Sequence, residues 1–94
     1  NTLTAVTWLR ETVRRNPLDA AAHWILGVAL QVSANAAEGQ REKELAKRLS
    51  SAYADWDKKQ PGTSALPPNL ERVKTELDAA GFPRVEEAIA AAFA

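Results

Sequence analysis

The stretch Asn16-Pro17-Leu18-Asp19-Ala20-Ala21-Ala22-His23-Trp24-Ile25-Leu26-Gly27-Val28-Ala29-Leu30-Gln31 decides the fold of this 94-residue chain. Asn16-Pro17 stops any preceding helix, because the residue before a proline is pushed out of the α region. Asp19 is a good N-cap, and the helix that it opens runs to about Ser33. The apolar residues Ala20, Ala21, Ala22, Trp24, Ile25, Leu26, Val28, Ala29, Leu30 and Val32 lie almost all the way round it. That distribution predicts a helix buried by neighbours on more than one side. Gly27 interrupts good helix formers at a cost of about 1 kcal/mol relative to alanine, which close approach of a neighbouring backbone would offset. The helix therefore reads as a central strut.

Outward from it the period stays helical. Pro17, Pro61, Pro67, Pro68 and Pro83 divide the chain, and every segment except the 61–68 loop has a helical rather than a β spacing. The first helix is expected over about Thr2–Arg15, capped by Thr2 or Thr4. Val6, Leu9 and Val13 form its stripe, Trp8 widens that stripe, and Arg14 and Arg15 suit the negative C-terminal end. Ala34–Gly39 reads as a connection, and the third helix as about Gln40–Lys59, with Leu45, Leu49, Ala52, Tyr53 and Trp56 on a narrow apolar face. Glu44 can pair with Lys47 and Arg48 along its surface. Gln60–Pro68 is the clearest loop and the place for an internal boundary. A fourth helix over about Pro68–Ala80 carries Leu70, Val73 and Leu77. Gly81 is its natural C′ residue, and Pro83 opens a fifth helix presenting Val85, Ile89, Ala92 and Phe93. The fold class is all-α, about five antiparallel helices joined by short turns.

The central segment resembles the opening of a tetratricopeptide repeat. The family pattern sets an aromatic residue, a Leu-Gly pair and a further large residue at fixed spacing in the first helix of a pair. Leu26, Gly27 and Leu30 match; the aromatic position falls on His23, with Trp24 one place late. Upstream, Ala5, Leu9 and Pro17 match the end of a preceding repeat; downstream, Tyr53 and Pro61 match the aromatic and closing proline. Pro17 and Pro61 stand 44 residues apart, against a family period of about 34, so the turn or the third helix is extended. Trp56 also occupies a normally small position. The resemblance covers about residues 3–61 and implies a stack of helix hairpins that binds protein or peptide; the alternative is a generic helical bundle.

The length fits a single helical domain or a fragment of a larger helical-repeat protein. With no methionine, the chain reads as processed or as an ordered piece of something longer. Nineteen alanines favour helix and close helix packing. Twelve basic and twelve acidic residues cancel, which argues against nucleic acid or an anionic membrane as the main target. The longest apolar run, Ala20–Val32, is too short to span a bilayer. The chain thus reads as soluble, cytoplasmic or periplasmic. Without cysteine it has no disulfide and no thiolate metal site.

No catalytic, cofactor or metal site is expected. His23, the only histidine, sits on an apolar helix as a packed, hydrogen-bonded residue would, and no second histidine completes a zinc site. The pairs Glu86-Glu87 and Asp55-Asp57 diverge on a helix. Ser33, Ser50, Ser51 and Ser64 lack a nucleophile-elbow setting, and no glycine-rich phosphate loop exists. A helix-turn-helix around Gly81-Phe82-Pro83 would offer DNA Arg84 followed by Glu86 and Glu87, which repel phosphate. Trp8, Trp24 and Trp56 read as core or near-core aromatics, with Trp56 the most exposed. The residues expected to meet a partner are Arg41, Lys47, Arg48 and Trp56, the basic ones as a strip for an acidic peptide. The function read from this is a non-catalytic protein–protein interaction module. A structural capping or linking element, or a self-associating domain forming a homo-oligomer, is the alternative.

Overall fold

Local capping chemistry sets where the helices begin and end. The computed structural model describes residues 1–33, 35–58 and 65–93. Among them the chain is all-α, with helices α1 (Thr2–Arg15), α2 (Ala20–Val32), α3 (Ala36–Asp57), α4 (Pro68–Ala79) and α5 (Val85–Ala92). Asn1, rather than Thr2 or Thr4, caps α1, its side chain accepting from the Thr4 N–H at 3.2 Å. Asp19 caps α2 in the same way through Ala22 N–H at 3.0 Å, satisfying a donor that the helix leaves unpaired. At the end of α4, Gly81 takes φ +84°. The Phe82 N–H then reaches the Leu77 carbonyl, and the Gly81 N–H reaches that of Asp78, both at 3.1 Å. This is the Schellman pattern, and it requires the left-handed residue that glycine supplies.

Two helix starts differ from the sequence expectation. α3 begins at Ala36, four residues before Gln40, so Gly39 is helical and buried rather than part of a connection. Ala36 and Ala37 are strong helix formers, and Gly39 is held there by what it packs against. α5 begins at Val85, because Arg84 adopts φ +57° and breaks the backbone after Pro83. The expected boundary at 60–68 and the end of the third helix at Lys59 fall largely outside the described residues, as does the matching Pro61.

Each helix packs on its neighbours in sequence, α1 on α2, α2 on α3, α3 on α4 and α4 on α5, and no other two helices bring their described backbones together. The result is an elongated body, 47 × 21 × 19 Å. Val6, Leu9 and Val13 of α1 close one apolar cluster with Ala22, Leu26 and Leu30 of α2. A second joins Leu45, Leu49 and Ala52 of α3 to Leu70, Val73 and Leu77 of α4 and to Val85, Ile89 and Phe93. Leu18, from the α1–α2 turn, plugs into the second cluster, and Phe82 packs against both. Tyr53 fixes that turn by donating its hydroxyl to the Leu18 carbonyl at 2.9 Å. Burial, and after it the charge of Asp19, pushes the Tyr53 hydroxyl pKa up. The apolar side of α5 is thus covered within the chain, its Ile89 and Phe93 buried.

α2 and α3 cross most closely at two glycines. A Cβ on Gly27 would lie 2.8 Å from the Gly39 carbonyl oxygen, and one on Gly39 would lie 2.7 Å from that of Gly27. The close approach expected at Gly27 is present, and its partner is a second glycine. Neighbours cover α2 on more than one side, as expected, but a third side of this apolar helix stays open. Trp24, Ile25, Val28 and Val32 are 40%, 53%, 41% and 72% exposed. Of the described helices only α1 and α3 pack on α2, and two helices cannot cover its whole circumference.

Candidate functional site

At 100° per residue, α2 presents three faces. Ala22, Leu26 and Leu30 are buried against α1; Gly27 and Gln31 face α3. The third face carries Ala21, Trp24, Ile25, Val28 and Val32, at spacings of three and four, and is exposed along its length. Its border with α3 forms a groove of about 840 Å³ lined by Ala20, Ala21, Trp24, Ile25, Ala46, Lys47, Ser50 and Ser51. Lys43 lays its ammonium over the Trp24 ring, 4.9 Å from the centroid, where the ring's negative face attracts it. Trp8 and Leu3 of α1 are also exposed, at 67% and 73%. Trp8 and Trp24, expected in or near the core, are therefore solvent-facing; Trp8 lies outside the Val6, Leu9 and Val13 stripe that meets α2.

The basic strip of α3 does not act as one surface. Lys47 lines the α2 groove, and Lys43, one turn earlier, lies over the Trp24 ring. Arg41 and Arg48 line a different groove, of about 480 Å³, against α4, together with Glu42, Glu44, Glu76 and the apolar Leu45, Leu77 and Phe82. There the charges are mixed, and Arg48 is ion-paired with Glu76. The expected pairing of Glu44 with Lys47 and Arg48 is absent; Glu44 accepts from Gln40 instead. Trp56 stands apart from both grooves. It is half-buried, edge-on to Phe93 at 5.5 Å, while Tyr53 stacks on the same ring at 5.0 Å. Trp56, expected as the most exposed tryptophan, is the best covered of the three: a charged helix ends there, but α5 folds back over it.

His23 is fully buried. Its Nε2 lies 2.7 Å from the Pro17 carbonyl and its Nδ1 2.6 Å from a Glu42 carboxylate oxygen. A carbonyl can only accept, so Nε2 donates to Pro17, and Nδ1 makes the hydrogen bond to Glu42. Phe82 covers the ring, with centroids 6.2 Å apart. With both nitrogens engaged and no solvent contact, this imidazole ties α2, α3 and the α1–α2 turn together and offers nothing to a substrate. Among the described residues, no group of three or more acidic or histidine side chains is placed to hold a metal ion. No helix among the described residues is long and apolar enough to cross a membrane.

Arg10 of α1 reaches α3 through a two-pronged ion pair with Glu38, at 2.5 and 3.1 Å, and Asn35 adds a third donor at 2.7 Å. The hydrogen bond from Arg10 holds the Glu38 carboxyl below the usual carboxylate range, against a smaller opposing effect of burial. A depressed folded pKa contributes stability that is present above the unfolded value, roughly 4.3 for a glutamate, and lost as pH falls through the folded one. Urea titrations between neutral pH and pH 3 should therefore show a shallower acid loss for Glu38→Gln than for the parent. The difference is expected below about 1 kcal/mol, because Arg10 is half exposed. Equal slopes would show that the pair adds nothing. In comparison with known proteins, the chain matches no family model, and no curated protein or solved structure is significantly similar to it.

Proposed function

We propose that the chain is a non-catalytic protein–protein interaction module that holds a peptide or partner helix against the outer face of α2, in a tetratricopeptide-like helical arrangement. One observation carries this reading. α2 has no charged residue from Ala20 to Val32, yet one full face of it, with Trp24, Ile25, Val28 and Val32, is left in solvent. A contiguous apolar stripe of this kind on an otherwise charged surface is characteristic of a docking site. Partner helices are commonly read by such i, i+3, i+4, i+7 anchors.

The arrangement of α2 and α3 supports the family likeness. Leu26 and Leu30 face the core, Gly27 sits at the helix crossing, and the connection to α3 is short. α3, at 22 residues the longest described helix, fits an extended third helix better than an extended turn. On this reading Lys47, which lines the groove, is the one of the four expected residues beside the docking face with Trp24, Ile25 and Val28, and Arg41, Arg48 and Trp56 lie elsewhere.

Selection from a displayed random-peptide library tests the proposal. The parent chain should enrich peptides that an Ile25→Asp variant, equally folded by circular dichroism, does not. Light scattering should show a monomer whose thermal midpoint rises with the enriched peptide. A stable dimer that enriches nothing would instead favour the self-associating structural element.

A further inference from the structure

The groove between α2 and α3 is one-sided in charge. Lys47 lines its α3 wall, Lys43 one turn earlier lies over the Trp24 ring that lines it, and neither is in an ion pair among the described residues. No acidic side chain lines it. The nearby carboxylates of α3 are turned away: Glu42 is bound to His23, and both Glu42 and Glu44 line the groove on the α4 side. The apolar face beside those lysines runs from Ala21 to Val32, about 17 Å at 1.5 Å per residue, which is three helical turns.

From this we infer that the occupant is a partner helix of about three turns, with an apolar stripe flanked along one edge by glutamate or aspartate. The inference rests on the reading of the α2 outer face as a docking surface. The apolar stripe packs on Trp24, Ile25 and Val28, and its acidic edge lies along Lys43 and Lys47. Attraction across such a border raises the association rate and rejects partners of the wrong sign, and it is screened by salt. A basic amphipathic helix would place like charges together and is excluded by the same geometry.

Two synthetic 16-residue capped helices sharing one leucine stripe, one flanked by glutamates and one by lysines, make the test. Their affinity for the whole chain is read by calorimetry at low and high salt. The acidic peptide should bind at least about tenfold more tightly at low salt, and the gap should narrow as salt rises. Lys47→Glu, an exposed and fold-neutral change, should reverse the preference, and Trp24→Ala should weaken the acidic peptide by about tenfold or more. Equal binding of both peptides would overturn the acidic partner while leaving the docking face intact. Failure of both, with a dimer that Ile25→Lys dissociates, would make a second copy the occupant and overturn this inference. Failure of both with a monomer would remove the docking face as well.

Discussion

Gly27→Ala is expected to destabilise the chain by about 2–3 kcal/mol, although alanine is the better helix former by about 1 kcal/mol. The added methyl would lie 2.8 Å from the Gly39 carbonyl oxygen and 2.8 Å from Lys43 Cγ. The lysine can swing aside, but the carbonyl belongs to the α3 backbone and moves only if the helices separate. Separation would loosen the packing of Leu26 and Leu30, among the most deeply buried side chains of α2. Gly39→Ala meets the reciprocal contact, 2.7 Å from the Gly27 oxygen, and should cost about as much. Both changes act on one gap, so the double variant should lose less than the sum of the two. Urea unfolding of the three variants measures this, and a Gly27→Ala chain as stable as its parent would remove the crossing from the account.

Truncation of His23 is the other large effect. His23→Ala removes a buried ring from between its two partners, leaving the Pro17 carbonyl and the Glu42 carboxylate uncompensated beside a cavity. Removing one member of a buried pair costs about 3–5 kcal/mol. The Glu42 side chain keeps 16% exposure, so water can reach it and the lower end of that range is expected. Replacing both residues, as His23→Leu with Glu42→Leu, should recover part of the loss, because the Glu42 carboxylate is then no longer stranded and only the Pro17 carbonyl lacks its donor. The informative result is the coupling energy from the double-mutant cycle. A value near zero would mean that the short Nδ1–Oε2 contact contributes shape alone.

The all-α fold and its five described helices were legible because their signals are local. Caps, prolines and stripes of period three to four depend on few neighbours, so α1, α4 and the glycine turn after α4 fall within a residue or so of expectation. The candidate site was less legible. An apolar helix looks the same in sequence whether two neighbours or four surround it, so Trp24, Ile25 and Val28 read as core when they are surface. The spacing of 21, 24, 25, 28 and 32 held the signal of a second stripe, separate from 22, 26 and 30. Gly39 was taken for a loop glycine because its reason for being helical lies in Gly27, twelve residues earlier. Likewise, the partners of Arg48 and Arg10 come from other helices, and no local rule joins 48 to 76 or 10 to 38.

The neighbour-by-neighbour order of helix contacts bears on how the chain reaches its fold. The helix-to-helix backbone contacts all join elements adjacent in sequence, and the entropy of closing such short loops of chain is correspondingly small. Topologies of this kind fold on the microsecond to millisecond scale. The α2–α3 hairpin, with the glycine crossing and the histidine–carboxylate link inside it, is the one segment that both ends of the molecule need in place. α1 can add to it on one side and α4–α5 on the other without waiting for each other. The surface left open by α2 is thus present from the first assembled unit onward, before the rest of the molecule has closed.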